Sequence, residues 1–264
     1  MGPYVSVVQY AIADGIGLIT LNRPERMNAV TIDLARQLED ALSELSRDPA
    51  VMVIVIRGAG KNFCAGGDVA EVERLRSAGA EPLRTLFDAF RRACDAITAV
   101  DVPVVAAVEG VAMAGGFELM QAADIVIVSD DAKIADNHIN FGMVPGGGST
   151  QRLPRLVGKG RALQLILSGE TISAQEAYRI GLVNEVVPAA NLITRAEEIL
   201  KQIASNAPVA VRLSLEAVNR GMDTSQSEGF ALEASYFGLC AATEDKKEGT
   251  SAFLEKRAPQ FHGR

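Results

Sequence analysis

Two glycine-rich segments hold the residues with the clearest capacity for chemistry. The first, Phe-Cys-Ala-Gly-Gly-Asp at 63–68, follows an apolar, β-branched run at 51–56. The second, Ala-Met-Ala-Gly-Gly-Phe-Glu at 112–118, follows a similar run at 103–108. Glycines let backbone N–H groups approach a ligand closely, and two such donors aimed at one oxygen form an oxyanion hole. From spacing alone, tight connections between elements explain both segments equally well.

Glu118 closes the second segment and is the candidate acid or base beside those donors. A glutamate in the first turn of a helix also gains about 0.3–1 kcal/mol from the helix dipole, which is the competing structural explanation. The glycine context favours a catalytic role for Glu118. Cys64 lies in the first segment, but no basic residue flanks it, so we do not expect a nucleophilic cysteine.

Two further glycine motifs do not match phosphate-binding loops. Gly-Ala-Gly-Lys at 58–61 is followed by Asn and Phe, where such a loop needs Ser or Thr. Pro-Gly-Gly-Gly-Ser-Thr at 145–150 lacks the spacing of a dinucleotide fingerprint. We expect the second motif to form a tight turn that leads into the next helix.

The composition indicates one globular domain without nucleic-acid or membrane partners. The chain has 264 residues, 48% of them apolar, and a formal charge of −7 that opposes binding to a phosphate backbone. Three widely spaced cysteines fit neither a disulfide framework nor a paired metal site. No apolar run reaches the roughly 18 residues of a membrane span, and residues 1–10 lack a targeting signal. We therefore expect a cytoplasmic protein.

Apolar residues alternate between strand-like runs and helical spacing up to about residue 190. The predicted strands occupy 5–10, 16–21, 51–56, 103–108 and 125–128. The first two are typical of an antiparallel hairpin, and the uninterrupted apolar runs of the others indicate strands buried on both faces. Helical spacing between them predicts an α/β fold with helices over a mostly parallel sheet. The glycine segments then lie at the carboxyl ends of strands, where such sheets bind ligands.

The pattern changes near residue 190. Four helical segments follow, at 191–205, 208–221, 226–241 and 244–257, with no further strand. The predicted organisation is an α/β core over 1–190 and a helical region over 191–264. Because four more helices are hard to bury on one sheet, we expect part of this region to pack against another subunit.

The motifs, taken in order, resemble those of the enoyl-CoA hydratase/isomerase (crotonase) superfamily. The matching stretches lie at 22–29, 63–68, 103–109, 112–118, 141–142, 145–153, 167–170, 181–184 and 253–257. Each stretch is loose on its own, but their order over nearly the whole chain argues against chance. The resemblance implies a crotonase-like spiral of ββα units and a helical C-terminal region used for trimerisation, giving a homotrimer or a hexamer of paired trimers.

The resemblance also implies an acyl-CoA thioester as substrate. Its carbonyl oxygen would be held by the backbone N–H groups of Gly67 and Gly115. The implied substrate-binding residues are Ala65, Gly66, Asp68, Arg26 and Met27. The region of Ala65 would face the adenine, and residues around Arg26 and Met27 would line the pantetheine channel. The family uses neither metal nor redox cofactor, and coenzyme A enters as part of the substrate.

This chain departs from the family pattern at one catalytic position. In similar hydratases two glutamates act around one water; Glu118 matches the first, and the second position, twenty residues later, is His138. Two carboxylates repel each other, whereas a glutamate and a protonated histidine attract. We expect Glu118 to orient or deprotonate water and His138 to deliver a proton to the α-carbon, although the sequence does not decide which one is the acid. Nearby Asp136 could hold the imidazole or act itself, but we expect it to be a solvated loop acid.

The substitution leaves three functions open. The first is reversible hydration of a 2-enoyl-CoA through a stabilised thioester enolate. The second is another reaction on an acyl-CoA, namely thioester or β-diketone hydrolysis, isomerisation or decarboxylation. The third is a non-catalytic acyl-CoA-binding protein, against which the retained Glu118 argues. Five arginines between 74 and 92 could bind a carboxylated acyl group, but we expect them to form a solvated helix face.

Overall fold

The structure is a computed structural model that describes residues 6–264. Its chain begins with the predicted hairpin, formed by β1 (Val8–Ala13) and β2 (Ile16–Leu21) in antiparallel register. Asp14 and Gly15 form the two-residue turn, and both have positive φ, as the tight turn of a hairpin requires. The first strand begins later than predicted, and position 5 of the predicted strand lies outside the described residues.

A six-stranded sheet forms the centre of the molecule. The hairpin continues into four parallel strands: β3 (Val53–Gly58), β4 (Val104–Val108), β6 (Ile125–Ser129) and β9 (Glu185–Val187). A second sheet has three short strands: β5 (Val111–Met113), β7 (Lys133–Ala135) and β8 (Ile172–Ser173). The first sheet confirms the predicted α/β class, whereas the second was not predicted.

Eleven α-helices lie within residues 6–264. In chain order they are α1 (Ile32–Arg47), α2 (Val69–Ala78), α3 (Ala80–Ala99), α4 (Gly115–Ala122), α5 (Ser149–Val157), α6 (Lys159–Ser168), α7 (Ala174–Arg179), α8 (Leu192–Ala204), α9 (Pro208–Gly221), α10 (Gln226–Ala241) and α11 (Glu244–Glu255). Short 3₁₀ turns occupy Pro24–Arg26, His138–Phe141 and Ala189–Asn191. Within this part of the chain, none of the helices is both long and apolar enough to cross a bilayer.

Helix α4 lies deepest in the fold because all eight of its residues are buried. Helices α1 and α3 pack together beside it and bury amphipathic stripes, such as Leu34, Leu38 and Leu42 of α1. Thr31 caps α1 by accepting a hydrogen bond from the Leu34 N–H at 3.1 Å. A helix buried on every side presents its N-terminus at a fixed position in the interior, which suits a site that needs rigid backbone donors.

Helix α8 covers the opposite face of the large sheet. Leu192, Ala196 and Leu200 recur every four residues and pack on Val53 and Val105. The adjacent residues Ile54 and Val104 point to the other face, which α1, α3 and α4 cover. Burial of both faces explains why β3 and β4 consist almost entirely of apolar residues.

The last three helices contribute little to this core. Helices α9 and α10 bury none of their residues, and α11 buries only Asp245 and Ala252. The predicted helical C-terminal region is confirmed. The division at residue 190 stays a prediction, and α8, which the region 191–264 includes, packs on the sheet of the core.

Candidate active site

Gly67 presents a free backbone donor at the end of the first glycine segment. It lies opposite Val30 in an isolated parallel bridge, where the Val30 N–H donates to the Gly66 carbonyl and the Asp68 N–H donates to the Val30 carbonyl. The N–H of Gly67 therefore points away from Val30. Among the hydrogen bonds of residues 6–264 it has no acceptor.

Gly115 presents the second donor as the first residue of α4. The first N–H groups of a helix have no partner inside it, and that of Gly115 has none elsewhere in the described chain. The chain enters the helix through Ala114, whose φ of 47° and ψ of −115° are rare for an L-residue. Strain of this kind is characteristic of functional sites.

The two glycine segments are in direct contact. The Cys64 N–H donates to the Val111 carbonyl at 3.0 Å, and the Met113 N–H donates to the Cys64 carbonyl at 3.1 Å. A Cβ on Gly66, which has a φ of +96°, would lie only 2.8 Å from the Ala114 Cβ. The predicted donors Gly67 and Gly115 consequently line the same cavity, of about 270 Å³.

Glu118 projects into this cavity from the same face of α4 as Gly115, one turn later. Its side chain is 1% exposed. Its Oε1 accepts hydrogen bonds from the N–H groups of Gly147 at 2.7 Å and Ser149 at 3.1 Å. The turn at 145–150 does lead into a helix, as predicted, and its amides hold the carboxylate in place. A Cβ on Gly147 would overlap the ring of Phe90, so a glycine is needed there.

His138 also lines the cavity and faces Glu118. Its Nε2 is 3.4 Å from the Glu118 Oε2, and its Nδ1 is 2.7 Å from the Asp136 Oδ1. The expectation of a solvated Asp136 is wrong: this residue follows β7 directly and is 1% exposed. Its Oδ2 accepts a 2.5 Å hydrogen bond from the Ser149 hydroxyl. Sequence reasoning missed this partner because the hydroxyl comes from a distant helix.

The surroundings shift the pKa values of both groups. Burial raises the pKa of Glu118 above its ordinary value, although His138 and the two backbone N–H donors oppose the shift. Burial alone would lower the pKa of His138, but the hydrogen bond to Asp136 and the charges of Glu118 and Asp136 outweigh it and raise that pKa. Both shifts favour the protonated form of the group. Hydrogen bonds on Glu118 Oε1 and His138 Nδ1 favour placing a proton shared by the pair on the imidazole.

The raised pKa of His138 predicts how stability depends on pH. A protonated His138 stabilises the folded state fully below its unfolded pKa of about 6.5, and this contribution is lost as the pH rises through the folded pKa. Because glutamine carries no charge, the wild type should exceed His138→Gln in Tm most at low pH. Thermal unfolding of both proteins from about pH 5 to about pH 9 measures the difference. A difference that does not change with pH would contradict the shift.

The remaining predicted residues differ in their relation to the cavity. Ala65 lines it, and its N–H donates to the carbonyl of Met27 at 3.0 Å. Arg26 and Met27 are exposed, and neither they nor Gly66 and Asp68 line the cavity. Gly66 provides the close approach to Ala114. Asp68 caps α2 through the Glu71 N–H and pairs with Arg23 at 2.9 Å, so its carboxylate already has structural partners.

Much of the cavity lining is apolar. These side chains are Leu86, Phe87 and Phe90 of α3 together with Phe141, Met143 and Val144. The five arginines between 74 and 92 form ion pairs on exposed helix faces, as predicted, and do not line this cavity. Sequence periodicity did not single out these wall residues, because the same apolar stripe of α3 also supplies the core.

Comparisons with known proteins agree with this geometry. A family model described as Enoyl-CoA hydratase/isomerase matches residues 11–264. A crotonyl-CoA hydratase of Syntrophomonas wolfei is 42% identical over 93% of this chain and 94% of its own length. A short-chain-enoyl-CoA hydratase of Clostridium acetobutylicum is 41% identical over 92% of each chain. The crystal structure of an enoyl-CoA hydratase from Bacillus anthracis superimposes with a TM-score of 0.94, at 36% identity, over 98% of this chain and 100% of that one. The resemblance and the crotonase-like fold class are confirmed, and the chain is an enzyme of the enoyl-CoA hydratase/isomerase (crotonase) family.

Proposed function

We propose that this enzyme adds water reversibly to the double bond of a 2-enoyl-CoA. The main support for hydration is the 3.4 Å contact between Glu118 Oε2 and His138 Nε2. Both residues line the same cavity as the donors Gly67 and Gly115. A carboxylate and an imidazole beside two free N–H groups provide an acid, a base and an oxyanion hole. The hydratase names of relatives at about 42% identity support the same reaction.

The oxyanion hole activates the substrate. The thioester oxygen accepts hydrogen bonds from Gly67 and Gly115, and the N-terminus of α4 adds its dipole at the same point. When water attacks the β-carbon, the π electrons move toward the thioester and leave negative charge on its oxygen. These donors stabilise that charge in the transition state more than they stabilise the neutral carbonyl of the ground state.

Glu118 and His138 then carry out two proton transfers. Glu118, ionised and held by two backbone N–H groups, takes one proton from the attacking water, whose oxygen bonds to the β-carbon. His138, protonated at Nε2, gives its proton to the α-carbon as the enolate electrons return. The proton on Glu118 moves back to Nε2 across the 3.4 Å contact and restores the starting state. The reverse sequence eliminates water.

The walls of the cavity favour an uncharged acyl chain. Aromatic and aliphatic side chains line it, and the neighbouring arginines are already paired on the surface. We place the coenzyme A part of the substrate at Ala65, Gly66, Asp68, Arg26 and Met27, and we expect no metal or redox cofactor. A cytoplasmic location remains a prediction, which the unpaired Cys64, Cys94 and Cys240 support.

Loss of the conjugated enoyl absorbance tests the proposed function. Purified protein is incubated with 2-enoyl-CoA thioesters of increasing chain length, starting with crotonyl-CoA. We expect saturable, enzyme-dependent loss of the absorbance with a short, unbranched substrate. A carboxylated enoyl-CoA of matched length should react more slowly, because no arginine lines the cavity. No loss with any chain length would contradict hydration.

We also propose that the C-terminal helices assemble a homotrimer or a hexamer. Large apolar side chains on α10 and α11 are mostly exposed in the single chain: Phe230, Phe237, Leu239, Phe253 and Leu254. Large exposed apolar patches mark interfaces, and five such side chains on two consecutive helices fit one. Phe237 of α10, which is 75% exposed, is a suitable single probe of it.

Replacing Phe237 by glutamate should dissociate the assembly, since a charge would be buried without a partner. Light scattering after gel filtration should show the mass of three or six chains for the wild type and of one chain for Phe237→Glu. Tyr178→Glu, at an exposed aromatic residue of α7, serves as control and should retain the wild-type mass. A monomeric wild type would contradict this proposal.

A further inference from the structure

A continuous chain of hydrogen bonds, completed by one ion-pair contact, runs from α5 to the reacting groups. The Ser149 hydroxyl donates to Asp136 Oδ2, Asp136 Oδ1 lies 2.7 Å from His138 Nδ1, and His138 Nε2 faces Glu118 Oε2. The Gln121 side-chain amide donates to the Ser149 oxygen at 3.3 Å, which orients the hydroxyl hydrogen toward Asp136. Both Asp136 carboxylate oxygens are therefore engaged by groups from separate elements.

The charges around His138 come from several elements. Asp136 lies two residues before it, and Glu118 faces it from α4. Arg152 of α5 is turned to the Gly147 carbonyl and to Asp95 rather than to the imidazole. Burial raises the pKa of the Cys94 thiol of α3, so that group stays neutral. Within residues 6–264, the charges that act on the imidazole are thus the two carboxylates.

Without Asp136, the hydrogen of the neutral His138 ring could lie on the wrong ring nitrogen. A neutral imidazole carries its hydrogen on one nitrogen, and the partner of the other nitrogen decides which. Both ring nitrogens face carboxylates, but Asp136 Oδ1 lies 2.7 Å from Nδ1, whereas Glu118 Oε2 lies 3.4 Å from Nε2. The shorter contact therefore keeps the hydrogen of the neutral ring on Nδ1, and Nε2 binds the transferable proton in the charged state.

We infer that Asp136, anchored by Ser149, is a positioning residue that fixes the Nδ1–H tautomer of His138 and keeps the transferable proton on Nε2. This role rests on the proposed hydration for its effect on turnover, but the tautomer itself does not. Asp136 contacts the imidazole and does not line the cavity, so it acts through His138.

Asp136→Asn removes the charge and nearly preserves the size of the side chain. We expect kcat for crotonyl-CoA to fall at least tenfold while KM stays within about twofold, because substrate contacts are unchanged. Since His138 is the proton donor, the alkaline limb of the pH profile of kcat should move to lower pH by about one unit or more. Ser149→Ala, which leaves the backbone N–H to Glu118 intact, should shift the limb by less than Asp136→Asn does.

Nuclear magnetic resonance of ¹⁵N-labelled histidine reads the tautomer without turnover. The chain has only two histidines, and His262→Gln assigns the signals. We expect the neutral His138 to carry its hydrogen on Nδ1, and its pKa to fall in Asp136→Asn. Asp124→Asn is the matched control: Asp124 accepts a hydrogen bond from the Val104 N–H at the amino end of β4, and this variant should leave the His138 titration unchanged.

The outcomes separate the inference from the proposed function. A neutral His138 protonated at Nε2 in the wild type would overturn the inference, and so would an unchanged titration in both Asp136→Asn and Ser149→Ala. If Asp136→Asn does not fold, the wild-type tautomer and Ser149→Ala decide. A shifted titration in a wild type that hydrates no enoyl-CoA would overturn the hydratase proposal and leave the positioning role of Asp136 supported.

Discussion

Glu118→Gln is expected to lower kcat for crotonyl-CoA by about 10²–10⁴, the usual contribution of a positioned general base. The amide oxygen of glutamine can still accept the N–H groups of Gly147 and Ser149, so the side chain should keep its place. What it loses is the ability to take a proton from water. Because the amide barely alters the substrate cavity, KM should change little. Steady-state kinetics of the purified variant measures both constants.

Glu176→Gln is the control for this variant. Glu176 of α7 pairs with Arg179 and does not line the cavity, so its replacement should leave kcat unchanged. Thermal unfolding of Glu118→Gln should show a Tm at or above that of the wild type, because a buried carboxylate is replaced by a neutral group. Full activity of Glu118→Gln would exclude Glu118 as the base and favour a different reaction.

Gly67→Pro is expected to lower kcat by about 10²–10³, the cost of removing one oxyanion-hole donor. Proline has no N–H, and the Gly67 N–H makes no hydrogen bond within the described residues that the fold would lose. Gly67 is not one of the glycines with positive φ, a conformation that proline cannot adopt. The effect should fall on kcat, since the oxygen carries more charge in the transition state than in the bound thioester.

Gly67→Ala isolates the donor from the added side chain. Its Cβ would meet only Val72 Cγ2, at 3.6 Å, which is ordinary contact. Alanine keeps the N–H, so this variant should retain most of the activity. Equal losses in both variants would show that crowding, and not the missing donor, causes the defect. Circular dichroism and Tm confirm that both variants are folded.

Most of the large sheet and the helices follow from the order of apolar residues. The uninterrupted apolar run at 51–56 predicts a strand buried on both faces, and β3 is covered by α8 on one face and by α1 and α3 on the other. The four C-terminal helices lie within two residues of their predicted bounds. Strong periodicity over ten or more residues survives tertiary packing, which explains this agreement.

The second sheet escaped prediction because its strands have only two or three residues. Residues 111–113 and 133–135 show no alternation long enough to separate strand from loop. They form strands because the Cys64 segment and the chain after β6 offer backbone partners. This sheet positions the site: it ties Cys64 to Ala112, and β7 ends directly before Asp136.

The environment of Asp136 could not be predicted for a similar reason. An aspartate between short irregular segments is usually solvated. The sequence alone does not show that the Ser149 hydroxyl donates a hydrogen bond to Asp136. The turn at 145–150 provides three things at once: two amides for Glu118 and the hydroxyl for Asp136. Such convergence depends on the packing of α5 against α4, which no local pattern encodes.

His138 takes the place of a second glutamate, so the site still has two acid/base side chains, but they hold their proton in a different way. Two neighbouring carboxylates retain a proton because their charges repel each other. Glu118 and His138 retain one because protonated His138 forms ion pairs with Glu118 and with Asp136. The acid is then a cation that a carboxylate stabilises. Hydration by this enzyme should therefore be lost on the alkaline side when His138 loses its proton.

Mass spectrometry of the product formed in H₂¹⁸O tests the central claim most directly. Purified wild-type protein is given crotonyl-CoA, and the ¹⁸O is located in the product. We predict a 3-hydroxyacyl-CoA with one ¹⁸O at the β-carbon, formed by wild type and not detectably by Glu118→Gln on the same timescale. Free coenzyme A together with ¹⁸O in a carboxylate would show thioester hydrolysis instead. An unlabelled isomer, or no product at all, would equally contradict hydration by this site.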